Sequence, residues 1–269
     1  MALNIFVCVK RTPASTSVAL DSQTGQVKTQ GLPHAINPLD EYAVEEALRI
    51  KEKVAGSKVC VLSAGGPESD QVVRAALSVG CDEGVLVSDP AFAGSDTWAS
   101  SHILSRALKK LGEDKGGIHL VLFGKQTSDG ESGHMTAEVA AWLGVPSVTS
   151  VRKIVEISDS EIVVERLTED GVDTLKLKLP AVVGVTKEIN EPRLPSLRGK
   201  MAARKAQVPK WGAAELGIEA GAVGKSGSLT EVVDLSPVPS RPAGAVIPGE
   251  TPEEKAKHLA EKLKEAKLV

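Results

Sequence analysis

The feature that most constrains this chain is a rhythm in its first half. Short, almost wholly apolar runs alternate with stretches whose apolar residues recur at helical spacing. The runs at Ile5–Val9, Lys58–Leu62, Gly84–Ser88 and His119–Phe123 predict strands buried on both faces. Between and after them, Pro38–Lys51, Ser69–Ser78, Thr97–Leu111 and Ser132–Leu143 predict helices, with Val44, Ala47, Leu48 and Lys51 showing the change of period. Strands that alternate with helices of this length predict an α/β chain with a doubly wound, mostly parallel sheet. The turn-rich DSQTG within residues 15–30 predicts a small hairpin interrupting the first crossover.

The rhythm changes after Val145-Pro146. Residues 151–157, 161–167 and 174–179 alternate polar with apolar, as in Thr174, Lys176 and Lys178 against Leu175, Leu177 and Leu179. That pattern predicts an antiparallel meander on the sheet edge, returning to the core at Ala181–Thr186. From about Val208 the alternation stops, and residues 208–250 are rich in Pro, Gly, Ser and Ala. The reading is one α/β domain over 1–207 and a C-terminal arm with a terminal helix over 208–269, wrapping another chain. Thr251, Pro252 and Glu254 form the capping signature of that last helix, and Leu259 and Leu263 give it an apolar stripe.

Bulk properties exclude several classes. A net charge of −3 provides no basic field for nucleic acid or an acidic membrane, and 3% aromatic content weakens a base-stacking surface. No apolar run is long enough to span a bilayer, and MALNIFVCVK carries too short a run for a signal peptide, so a cytoplasmic protein is expected. Cys8, Cys60 and Cys81 include no CxxC pair and read as reduced, buried core thiols. The five histidines lack metal-ligand spacing.

In an open α/β sheet, ligands bind beyond the carboxyl ends of strands, near helix N-termini. Five segments lie there. Cys8 to Arg11 ends the first strand, and its backbone can meet an adenine edge or simply end in two solvated bases. Asn37 and Asp40 flank Pro38 and explain themselves as helix caps, with a ribose hydroxyl as the functional alternative. Ala64, Gly65 and Gly66 form a turn that loosely echoes the SGGxDS loop of ATP pyrophosphatases. Gly94, Asp96 and Thr97 precede the third helix, where Asp96 is either a cap or a cofactor contact. The richest loop runs from Gly124 through Lys125, Gln126, Thr127, Asp129, Gly130, Glu131, Ser132, Gly133 and His134 to Met135. It offers glycines, hydroxyls and a lysine to a phosphate at a helix N-terminus, yet it is neither a Walker A loop nor GxGxxG. No Ser–His–Asp order, paired carboxylates or activated cysteine emerges, which favours a cofactor holder over a catalyst. A sixth segment follows the strand at 181–186. Leu197 stands just ahead of Arg198, Lys200, Arg204 and Lys205, an apolar anchor with a basic rim suited to partner docking.

VCVKRTP, INPLDEYAVEEAL, GKQTSDGESG, KLPAVVGVT and LRGKMAARK stand in an order and spacing that resemble the β subunit of electron-transfer flavoproteins, over nearly the whole chain. The resemblance implies a Rossmann-like, adenine-nucleotide-binding fold, a heterodimer with an α subunit that holds a flavin, and a nucleotide in the β subunit's own cleft. It maps that pocket onto Cys8, Asn37 to Asp40, Ala64 to Gly66 and Gly124 to Met135, and it makes Leu197 the anchor for a partner dehydrogenase. LVSDPAFAGSDTWASS, and RGKMAARKAQVP followed by GKSGSLTEV, resemble the subgroup whose β subunit binds FAD. In that subgroup the flavin accepts a hydride from NADH and sends one electron to ferredoxin or flavodoxin and the other, through the α-subunit FAD, to an acyl-CoA dehydrogenase. The alternative within the family is a structural AMP. Outside it stand an ATP-cleaving pyrophosphatase-like enzyme built on SAGGPES and a stress-type nucleotide-binding module.

Overall fold

The computed structural model describes residues 2–15, 28, 31–236, 239 and 243–269. The hairpin expected over 15–30 lies outside the described residues, apart from its ends at 15 and 28. The strands are β1 (Asn4–Cys8), β2 (Arg11–Pro13), β3 (His34–Ile36), β4 (Lys58–Ala64), β5 (Glu83–Val87), β6 (Leu120–Gly124), β7 (Ser147–Ile157), β8 (Glu161–Leu167), β9 (Val172–Lys178), β10 (Ala181–Val185) and β11 (Lys210–Trp211). The helices are α1 (Pro38–Lys53), α2 (Asp70–Val79), α3 (Thr97–Lys115), α4 (Met135–Leu143), α5 (Leu197–Lys205), α6 (Ala213–Leu216), α7 (Gly224–Gly227) and α8 (Pro252–Glu265).

Nine strands form one sheet in the order β11-β5-β4-β1-β6-β10-β7-β8-β9. All neighbours are parallel except β7–β8 and β8–β9, which make the expected antiparallel meander. Strands β2 and β3 pair separately as a short antiparallel ribbon.

The all-apolar runs hide a period of two. On β1, Ile5 and Val7 join one core with Ala43, Val44 and Leu48 of α1 and Val72 and Val73 of α2. Phe6 and Cys8 join the opposite core with Ile103, Leu104 and Leu108 of α3 and Val139 of α4. Both faces are therefore covered, which is why the strands carry no polar alternation. Burying a Val, Leu, Ile or Phe side chain contributes roughly 1.5–3 kcal/mol, so these two layers dominate the stability of the sheet.

The described residues divide between two compact units, one running to Val233 and one from Asp234 onward. Residues 208–233, where helix–strand alternation fades in the sequence, pack with the α/β unit. Strand β11 pairs with β5, and Leu216, Ile218 and Val223 are buried in the α3–α4 core. In the second unit, α8 starts with the expected capping box, Thr251 Oγ1 accepting from Glu254 N at 3.2 Å. None of its residues is buried.

Candidate functional site

The order of strands sets the site. From β1 the chain moves outward to β4 and β5, then returns to the other side of β1 as β6. Such a reversal opens a crevice at the carboxyl ends of the two central strands. A cavity of about 310 Å³ lies there. Cys8, Val9 and Lys10 at the end of β1, Ala64 at the end of β4, and Ser95, Asp96, Thr97, Ser100 and Leu104 at the start of α3 line it. Asp40 and the stretch from Phe123 to Met135 close it.

Long-range polar contacts hold the loop after β6 in place. Asn37 is fully buried and precedes α1, but its side chain does not cap that helix. Its Nδ2 donates to the Gln126 carbonyl and its Oδ1 accepts from Ser128 N, both at 3.0 Å. Lys125 N donates to the Val185 carbonyl at 2.8 Å. Lys10 Nζ meets the Asp129 carboxylate at 2.8 Å across the mouth of the loop. Glu131 and Gly133, at φ of +49° and +68°, turn the backbone so that the loop stays open until His134. The helix expected from Ser132 therefore starts at Met135, and it has no side-chain cap. Ala137 N and Glu138 N donate to the His134 carbonyl at 3.0 Å, and Met135, the first residue of the helix, is part of the cavity wall.

Gly124 has a packing role. A Cβ there would sit 2.6 Å from Asp40 Oδ1 and from the Leu39 carbonyl carbon, so only glycine lets the start of α1 approach β6. Asp40 is buried beside it, its Oδ2 accepting from Lys10 N at 2.7 Å. Burial pushes its carboxyl up from 3.8 to about 7, despite hydrogen bonds from Asn37, Lys10 and Gly124. Burial also pushes the Cys8 thiol well above its ordinary value, so it lines the cavity as a small apolar group and not as a nucleophile.

Asp96 caps α3, accepting from Ala99 N at 2.9 Å. Its other oxygen accepts from Leu229 N, Thr230 N and Thr230 Oγ1 at 2.8–2.9 Å, while its own N donates to Ser228 Oγ. Burial opposes the charge, but these donors outweigh it and hold Asp96 below its ordinary value. Asp96 is thus a cap and a clasp on residues 228–230 while still forming part of the wall. Thr97 Oγ1 donates to Glu138 Oε1 at 3.0 Å.

Of the residues read as a site, Cys8, Asp40, Ala64, Asp96, Thr97, Gly124, Lys125, Gln126, Thr127, Gly130, Ser132, Gly133 and Met135 line this one cavity. Asn37 and Asp129 are not in the lining: Asn37 holds the loop from its buried position and Asp129 pairs with Lys10 at the mouth. Gly65 and Gly66 do not line it; they turn into α2, where a Cβ would meet Ser69 Oγ at 2.5 Å and the Glu68 carboxylate at 2.6 Å. Gly94, Glu131 and His134 also stand outside the lining. Ser100, Leu104 and Phe123 were missed. Ser100 and Leu104 fall one helical turn apart on α3 and are indistinguishable in sequence from its core face. The set fits an adenine nucleotide. Cys8, Val9, Leu104 and Phe123 offer an apolar floor for a ring, hydroxyls stand along α3, and the α4 N-terminus with Lys125 could hold an anion.

Elsewhere on this unit, α5 follows an irregular stretch and is capped by Ser196 Oγ, which accepts from Gly199 N. Leu197 is 77% and Leu194 91% exposed, with Met201 one turn further on at 53%. Leu197, Arg198, Met201 and Lys205 share one shallow surface, and Lys200 and Arg204 are exposed beside it. Only Ala203 of this helix is buried.

The electron transfer flavoprotein domain model matches residues 24–216. The caffeyl-CoA reductase–Etf complex subunit CarD of Acetobacterium woodii is 36% identical over 99% of this chain and 100% of its own length. The electron transfer flavoprotein β subunit of Thermoanaerobacterium thermosaccharolyticum is 38% identical over 97% of this chain and 98% of its own. That of Megasphaera elsdenii is 34% identical over 99% and 100%. With a cleft where the strand order reverses and a match along nearly its whole length, the chain belongs to the electron transfer flavoprotein family, as a β subunit.

Proposed function

We propose that this β subunit pairs with an electron transfer flavoprotein α subunit in the cytoplasm and holds FAD in the cleft between β1, β6 and α3. Bound there, the flavin would supply hydride chemistry with NADH and single-electron delivery to ferredoxin or flavodoxin and, through the α-subunit FAD, to an acyl-CoA dehydrogenase. The chain's own residues grip and orient. Cys8, Val9, Leu104 and Phe123 exclude water from a ring, Asn37 fixes the loop over it, and the α4 N-terminus with Lys125 receives phosphate. Of the arm expected over 208–269, the part from Asp234 onward would wrap the partner subunit, and Leu197 with Arg198, Lys200, Arg204 and Lys205 would dock the dehydrogenase. Among the described residues, no helix is long and apolar enough to cross a membrane.

The observation that carries this reading is the extent of the wall. The lining runs on from the strand ends to Ser95, Asp96, Thr97 and Ser100, within the stretch that resembles the FAD-binding subgroup. The name of the Acetobacterium relative, a subunit of a reductase–Etf complex, supports it as well. One observation favours the AMP reading instead. A volume of about 310 Å³ lies at the low end of the roughly 300–1,000 Å³ usual for ligand pockets. Co-purification with the α subunit, denaturation and quantification of the released nucleotides separate the two. Two FAD per heterodimer, with NADH oxidation that needs both acceptors, supports the proposal. One FAD and one AMP overturns it in favour of a non-bifurcating carrier.

A further inference from the structure

We propose that Arg193 is a positioning residue for docking, riveting to α1 the segment that carries Leu194 and Leu197; the inference rests on the reading of α5 as a docking element. Residues 190–196 form neither helix nor strand. They pass over a cavity of about 190 Å³ that Val44, Ala76, Val79, Pro192 and Pro195 help to line, so close apolar packing does not fix them. Leu194 faces solvent. Polar contacts hold the stretch instead. Asn190 Nδ2 donates to the Tyr42 carbonyl and to Glu46 Oε2, both at 3.0 Å.

Arg193 makes the stronger attachment. Its Nε and Nη2 donate to the two oxygens of Glu45 at 2.8 and 3.1 Å, its backbone N to Glu45 Oε2 at 3.1 Å, and its Nη1 to Glu52 Oε1 at 2.6 Å. The Glu45 side chain is only 5% exposed. Burial would raise its carboxyl, but Arg193 and Arg49 outweigh that and hold it below the ordinary value. A planar fork satisfies both oxygens at once, which an ammonium cannot reproduce.

The rest of α5 is fastened differently. Arg74 Nη1 donates to the carbonyls of Ala203 and Ala206 at 2.7 and 3.1 Å, closing the helix C-terminus. Gly199 lies against α2 so closely that a Cβ would overlap the Ser78 carbonyl oxygen. The middle and end of α5 thus rest on α2. The approach to its N-terminus, which presents Leu194 and Leu197, depends on α1 through Asn190 and the Arg193 fork.

The test uses the heterodimer and an acyl-CoA dehydrogenase that exchanges electrons with the wild type, with Arg193→Gln, Arg193→Lys and Leu197→Ala compared. In Arg193→Gln, amide hydrogen exchange over 194–200 should accelerate about tenfold. KM for the dehydrogenase should rise about tenfold, because only the seated fraction of the loop docks. The kcat and the nucleotide content should stay at wild-type levels. Arg193→Lys, which keeps a charge at Glu45 but loses the fork, should fall between. Leu197→Ala should raise KM without altering exchange. If Leu197→Ala raises KM while Arg193→Gln stays within about twofold of wild type, the positioning role is refuted and the docking reading survives. If Leu197→Ala leaves KM unchanged, the docking reading falls and the proposal falls with it. A joint loss of kcat and nucleotide in both Arg193 variants also overturns it, as general structural damage.

Discussion

Asp40→Asn should make this protein more stable as pH rises, by an amount its burial sets. In the folded chain the Asp40 carboxyl keeps its proton to about pH 7, against an ordinary value of 3.8. Between those limits the unfolded chain releases a proton that the folded chain retains, so the wild type loses stability as pH climbs through the window. Above about pH 7 both states are ionised and the loss is complete. At about 1.4 kcal/mol for each factor of ten in proton affinity, the full effect is about 4 kcal/mol. That figure is an upper bound, because local relaxation lowers the cost of a buried charge. Asparagine keeps a carbonyl oxygen for Lys10 N and carries no charge. The free-energy difference between variant and wild type should therefore grow in favour of the variant from pH 4 to pH 8. Urea unfolding at half-unit pH steps measures it, and the difference cancels Glu41 and Glu46, whose carboxyls burial also raises. A difference flat to about 0.5 kcal/mol across that range, within the extrapolation error of the method, would refute the argument.

Three further outcomes follow from the same geometry. Asn37→Ala removes two hydrogen bonds to the loop and should cost about 2 kcal/mol in denaturant unfolding. If the loop is then seated about one time in ten, AMP or FAD retained in equilibrium dialysis should weaken about tenfold. Gly124→Ala forces a Cβ to within 2.6 Å of the Leu39 backbone and should cost about 1–3 kcal/mol by calorimetry. Asp96→Ala should lose a cap worth about 1 kcal/mol and release residues 228–230, seen as faster limited proteolysis between Leu229 and Leu235. Asp96→Asn should restore the cap and only part of the clasp, since an amide accepts through one oxygen where the carboxylate uses two.

The sheet was legible because strands covered on both faces must be apolar throughout, and Ile5 to Cys8, Val59 to Leu62 and Leu120 to Phe123 are. The meander was legible for the opposite reason: Leu175 and Leu177 touch the core while Lys176 and Lys178 do not. What escaped depends on partners far along the chain. Asn37 looks like a helix cap, but its amide bonds residues about ninety positions away. Ser132 looks like another cap, but left-handed backbone at Glu131 and Gly133 postpones α4 to Met135. Strand β11 has two residues, too few to show any period, and its existence depends on the free edge of β5. Leu197 was legible locally, being flanked by Ser196 and Arg198 with little apolar company. The Arg193 fork was not, because nothing near Arg193 in sequence reports that Glu45 is buried.

Three aspartates surround the cleft proposed to accept phosphate, and bare carboxylates would repel such a ligand. Each is disarmed in a different way. Asp40 keeps its proton to near neutrality because burial penalises its charge. Asp129 stays ionised, since Lys10 outweighs the burial that would raise it, and the pair is neutral as a unit. Asp96 stays ionised as well, its charge spread over Ala99 N, Leu229 N, Thr230 N and the Thr230 hydroxyl. Lys125 and the α4 N-terminus then set the sign of the field at the loop. The three devices differ in what disturbs them: pH acts on Asp40, ionic strength on the exposed Lys10–Asp129 pair, and displacement of residues 228–230 on Asp96. Asp96 is thus the point at which movement of the chain just before Val233 would be felt in the cleft, by baring a carboxylate in its wall.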